Sequence, residues 1–122
     1  MQKRELNLSV TKRIRGKEIQ EATDGFIFDF IMDVTAVTTM ESQAESAIYN
    51  ICVNKGITQK RKSILRLYDA KEMKKMRVNL YSTGLTSALI ASINACYSLG
   101  IMDINVFHYD RKTESYYRQK VA

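Results

Sequence analysis

The chain has one histidine, His108, and two cysteines, Cys52 and Cys96, which stand 44 residues apart with no paired spacing. That is too few ligands for a zinc site, so no metal or cofactor is expected. Both cysteines fall in apolar helical patterns and read as reduced core residues of a cytoplasmic protein, ahead of a disulfide. The opening MQKRELNLSV lacks the apolar core of a signal peptide. The phosphate-cradling spacings G-x-x-x-x-G-K-[ST] and G-x-G-x-x-G are missing, as is the aromatic signature of an RNA-recognition motif. Charge is also missing from one long stretch, between Arg77 and Asp103. A run this apolar must be buried on most sides. Asn79, Ser82, Gly84, Asn94 and Ser98 interrupt it, which makes it a core and excludes a membrane span.

What is present bounds the rest. A chain of 122 residues with 45% apolar side chains forms one globular domain, 1–122. Its net charge of +6 is gathered in one place. Between Lys55 and Arg77 nine lysines and arginines stand against Asp69 and Glu72, a net +7, so the remainder is close to neutral. Clustered positive charge points to an anionic partner, or to a solvated hairpin that keeps the chain soluble.

Glu5 to Arg15 alternates Leu6, Leu8 and Val10 with polar neighbours, an N-terminal strand with one wet face. Lys17 to Gly25 is turn-like and ends on Asp24-Gly25, a hairpin signal. Phe26 to Val37 is aromatic and β-branched in one parity and reads as a strand, with a helix as the alternative. Thr38-Thr39-Met40-Glu41 has the form of a capping box, and Gly56 supplies the C-terminal cap of the helix between them. That helix carries Met40, Ala44, Ala47, Ile48, Ile51 and Cys52 on one face. Ser63 to Tyr68 is strand-like, and Arg77 to Asp110 forms strand, Ser-Thr-Gly turn, helix and strand. The tail, 111–122, ends the chain as an edge strand.

Shifted by 44 residues, the chain matches itself at eight positions over Val34–Ile57, closing on N-x-C-x-x-x-G-I in both copies. This reads as two β-α-β units, about 26–69 and 76–110. Joined by a short link, they give an α+β fold: a ferredoxin-like antiparallel sheet with both helices on one face. The alternative is a small Rossmann-like α/β sheet. Val78 and Leu80 should face the helices, and Arg77, Asn79 and Tyr81 the other side.

Three places could carry chemistry. The turn at Ser82, Thr83 and Gly84, leading to Thr86, offers hydroxyls and free amides at a helix start, which anions favour; the same residues also cap helices for purely structural reasons. At a strand end, His108 could move a proton and Arg111 could hold a phosphate, beside Tyr109 and Asp110. Asp110 could equally cap the following turn. Third, Arg66, Tyr68, Arg77 and Tyr81 on an open sheet face, with Lys60, Arg61 and Lys62 on the basic hairpin, suit single-stranded RNA.

The strand, Ser-Thr-Gly turn, apolar helix, glycine and strand ending in Tyr109-Asp110-Arg111 resemble the closing half of CRISPR-associated ring nucleases and CARF-type cyclic-oligonucleotide sensors. The resemblance covers about residues 76–118. It implies a small homodimer of a prokaryotic antiviral defence system that binds cyclic oligoadenylate and cleaves it without metal. It places Ser82, Thr83, Gly84 and Thr86 at phosphates, and His108, Tyr109, Asp110 and Arg111 in the strand-end cluster. The rival expectations are a non-enzymatic RNA-binding or assembly protein, and a structural subunit whose basic face meets an acidic protein.

Overall fold

Alternation along three strands decides which way the sheet faces. The computed structural model describes residues 4–11, 13–14, 17–18, 24–29, 37–56, 73–82, 86–110 and 112–121. In β1 (Arg4–Thr11), β5 (Met76–Ser82) and β6 (Asp103–Asp110), side chains of one parity are apolar and buried. They line up across the strands as Leu6–Val78–Ile104 and Leu8–Leu80–Val106. Val78 and Leu80 thus face the core as expected. The fold is α+β, with a five-stranded mixed sheet in the order β4-β1-β5-β6-β7. Strand β4 spans Gly25–Phe28 and β7 spans Ser115–Lys120. A separate two-stranded ribbon pairs β2 (Arg13–Ile14) with β3 (Lys17–Glu18).

The helices are α1 (Val37–Asn54) and α2 (Thr86–Ser98). Met40, Ala44, Ile48 and Cys52, four residues apart, form the buried stripe of α1, with Ala47 and Ile51 at its margin. Ala88, Ala91 and Ala95 bury the facing side of α2, where the lack of bulk lets the helices approach closely. Ser92 is fully buried there, and its hydroxyl donates to the Ala88 carbonyl at 2.8 Å. Both helices end on a left-handed glycine, Gly56 (φ +71°) and Gly100 (φ +89°). After Gly100 the Ile101 N–H returns to the Cys96 carbonyl at 2.9 Å, the wide turn that satisfies orphan helix carbonyls. No helix among the described residues is long and apolar enough to cross a membrane.

The antiparallel ferredoxin-like sheet is not observed. β4, β1, β5 and β6 run parallel, and within this sheet, among the described residues, only the β6–β7 pair is antiparallel. Two facts account for the difference. The crossover through α2 returns to the adjacent strand, so β5 and β6 are neighbours. The N-terminal strand, which belongs to neither of the two expected β-α-β units, has three apolar inward residues and takes the place between β4 and β5. Parallel pairs place the sheet nearer the Rossmann-like alternative. The closing strand expected at Ser63–Tyr68 lies outside the described residues, so the duplicated order is not established.

Local boundaries shift as well. The strand expected over Phe26–Val37 ends at Phe28, and Val37 already opens α1. The N-terminal strand stops at Thr11, with Arg13–Ile14 in the separate ribbon. Asp24-Gly25 does not turn a hairpin, because β4 runs parallel to β1. Asp24 donates its N–H to the Asn7 carbonyl at 3.0 Å and accepts from the Asn7 N–H at 2.7 Å. Lys55 pairs with its carboxylate, which ties the end of α1 to the start of β4.

Cys52 and Cys96 are free and buried, one on each helix. Burial pushes the Cys52 thiol up to about 11; burial, with the nearby Cys52 adding, pushes Cys96 up to about 12. The folded state therefore holds these protons at a pH where unfolded thiols release theirs. Stability should fall as pH rises past the ordinary thiol value of 9.0. Urea midpoints between pH 8 and pH 10 should drop more steeply for the parent than for the Cys52→Ala, Cys96→Ala double variant. Equal slopes would show that the thiols are not the groups responsible.

Candidate ligand site at the carboxyl edge of the sheet

Parallel strands bring their carboxyl ends to one edge, and that edge gathers part of the expected site. Ser82 ends β5 on the helix-facing side, buried to 6% exposure. α2 begins four residues on, at the exposed Thr86. In register with Ser82 on the neighbouring strand is His108, and beyond it Tyr117 on β7. His108 Nε2 lies 2.9 Å from Gln119 Oε1, and its ring stacks on Tyr117 with centroids 5.2 Å apart.

Not every expected residue joins this group. Tyr109 points to the opposite face, edge-on to Tyr116 at 5.4 Å. Asp110 Oδ1 accepts the Lys112 N–H at 2.9 Å, so it caps the β6–β7 turn, its structural reading. That turn closes through Glu114 in the left-handed region, φ +51°. Thr83, Gly84 and Arg111 lie outside the described residues, as do Lys60, Arg61, Lys62, Arg66 and Tyr68.

The second sheet face carries Arg77 and Tyr81, as the alternation requires. Arg77 is not free there. Its Nε donates to Asp103 Oδ2 at 3.1 Å and its Nη1 to Glu5 Oε1 at 3.2 Å. The hydrogen bond to Asp103, then the one to Glu5, raises its already high pKa. Lys120 Nζ meets the other Asp103 oxygen at 3.0 Å. Glu5, Arg77, Asp103 and Lys120 thus form a row of alternating sign, with no net charge to offer a phosphate backbone. Tyr81 stacks on Phe107 with centroids 4.7 Å apart and takes Tyr116 edge-on at 5.2 Å.

Between the charged and aromatic rows lies one that the sequence reading missed. Asn79 Nδ2 donates to Asn7 Oδ1 at 2.9 Å, and Asn105 Nδ2 donates to Asn79 Oδ1 at 3.1 Å. Asn79 and Asn105 are buried, and Asn105 Oδ1 has no donor among the described residues. A signal was available. Glu5-Leu-Asn-Leu, Arg77-Val-Asn-Leu and Asp103-Ile-Asn-Val each read charged, apolar, Asn, apolar, which places three amides side by side once the strands align.

Among the described residues no cluster of His, Cys, Asp or Glu could hold a metal ion. Comparison with protein-family models, with curated proteins and with solved structures finds no match to this chain.

Proposed function

We propose that this protein binds a phosphodiester ligand, a cyclic oligonucleotide, at the carboxyl edge of its sheet. The observation that carries the reading is the register partnership of Ser82 and His108 on adjacent parallel strands, with α2 starting four residues beyond Ser82. Strand order supports it. From β1 the chain moves outward to β4, then returns across to β5, so the direction of winding reverses between β1 and β5. In open sheets of parallel strands, ligands bind outside the carboxyl ends at such a reversal. Hydroxyls and unpaired amides at a helix start complement a phosphate there. The resemblance to ring nucleases and CARF-type sensors points to the same edge.

The reaction open to such a ligand is attack of a ribose 2′-oxygen on the adjacent phosphorus. The 2′-oxygen gains a bond to phosphorus and loses its proton; the 5′-oxygen leaves and takes one up. His108 is the group we assign to proton transfer, with Arg111 at the phosphate. Titration of cyclic tetra- and hexa-adenylate, with single-stranded RNA alongside, tests the binding. Ser82→Ala and Thr83→Ala should each weaken cyclic-oligonucleotide binding by about 1 kcal/mol, one net hydrogen bond. Gly84→Val should abolish it with little change in melting temperature. His108→Ala should keep binding and slow cleavage by about 10²–10⁴-fold. Loss of stability with binding intact in the turn variants would end the case for this edge. Affinity for RNA alone, lost in a Lys60→Ala, Arg61→Ala, Lys62→Ala variant, would assign the chain to RNA instead.

A further inference from the structure

Helix α2 has more than one apolar side. Its 13 residues include no charged side chain, in a chain where 26% of residues are charged. Ala88, Ala91 and Ala95 face the core, and Asn94 Nδ2 reaches Glu41 Oε1 on α1 at 2.9 Å. At 100° per residue, Thr86, Ile90, Ile93 and Tyr97 fall in a single stripe opposite those alanines. Most of the stripe is uncovered: Ile93 is half-buried and packs partly against the core, but Ile90 is 49% exposed and Tyr97 36%, with Met102, 54% exposed, just past the helix end. A helix that is apolar on opposite sides is normally buried on both.

We infer that this stripe is the contact between two copies of the chain, α2 packed against the α2 of a second copy about a twofold axis. Three observations choose a second copy as the occupant. First, the spacing of four, three and four residues is that of a seam between two helices, and it is symmetric about a point between Ile90 and Ile93. An antiparallel pair then sets Ile90 against Ile93 of the other copy, and Tyr97 against Thr86. Second, each copy carries +6, so two copies repel wherever charge meets charge, and of the two described helices α2 is the one without any. Third, an acidic partner would be drawn to the basic residues from 55 to 77, whereas an uncharged face leaves it nothing to pair with. Closed twofold dimers are also the commonest assembly of identical chains. The inference does not depend on the ligand reading.

Sedimentation equilibrium of the intact chain over a concentration series decides it. The parent should approach twice the chain mass, and Ile90→Glu should return to the mass of one chain with unchanged circular dichroism. Asn54→Glu, at the exposed end of α1, should stay dimeric. A parent that remains a single chain throughout, or an Ile90→Glu variant as dimeric as the parent, overturns the inference. Should Ile90→Glu fail to fold, an Ile90→Cys, Ile93→Cys variant takes its place. A disulfide-linked dimer on mild oxidation supports the contact, and an absence of cross-linking refutes it. Cys52 and Cys96 are buried and do not compete.

Discussion

Leu80→Ala is expected to destabilise the fold by about 2–5 kcal/mol, the range for a buried leucine cut back to its β-carbon. Leu80 has no exposed surface and stands at the middle of the Leu8–Leu80–Val106 row. The cost should fall in the upper part of that range because the site cannot easily collapse. Strands on both sides hold the backbone of β5 in register, and the helices above present alanines, too short to reach into a void. Against a total stability of roughly 5–15 kcal/mol for an ordinary domain, this is a large fraction. Urea unfolding with an unchanged slope and a lowered midpoint would register it. Lys74→Ala, at an exposed position, should shift the midpoint by less than about 0.5 kcal/mol. A Leu80→Ala loss below about 1 kcal/mol would mean that Leu80 does not sit under the helices as described.

Asn79→Ala should rank next, by a different mechanism. Asn79 is the middle of the amide row, so its loss strips Asn105 Nδ2 of an acceptor and Asn7 Oδ1 of a donor. Each buried polar group left unmatched costs about 1–3 kcal/mol, and Asn7 is only partly buried, so the sum should be about 2–4 kcal/mol. Asn105→Val makes the contrast. It removes the acceptor that lacks a donor among the described residues and leaves Asn79 Oδ1 unmatched instead. One orphan replaces another, valine suits a strand, and the net change should stay within about 1 kcal/mol. Chemical denaturation of both variants gives the order. Asn105→Val costing more than Asn79→Ala would show that the row is not held as a directional chain.

These two residues also mark what could be read from the sequence. Leu80 and its parity were legible, because an uncharged alternating stretch can face only one way. The end of α1 was legible at Gly56, where a local requirement for left-handed backbone singles out glycine. Strand neighbours were not. Pairing depends on contacts far apart in sequence, and the apolar faces of β1, β5 and β6 look alike whichever way they run. Arg77 follows from that gap: as a lone residue it is a phosphate binder, and only the register reveals Glu5 and Asp103 on either side of it. Ser82 and His108 were chosen separately as polar residues at element ends, and their adjacency became visible only with the parallel pairing. Asp110 shows the reverse, a polar residue absorbed by the turn beside it.

The pairing of β1 with β5 has a consequence for how the chain reaches this state. Glu5 and Arg77, joined across that pair, are 72 residues apart. Closing so long a span costs little equilibrium stability, since each doubling of a loop adds only about 0.6 kcal/mol. It costs time instead, because distant strands must meet before their contacts help. During synthesis the apolar side of β1 emerges first and cannot meet β5 until the chain has grown past residue 82, with β4 the earlier strand available to it. The order of manufacture thus leaves β1, an interior strand of the sheet, waiting long for its main partner, with Leu6, Leu8 and Val10 open to other chains meanwhile.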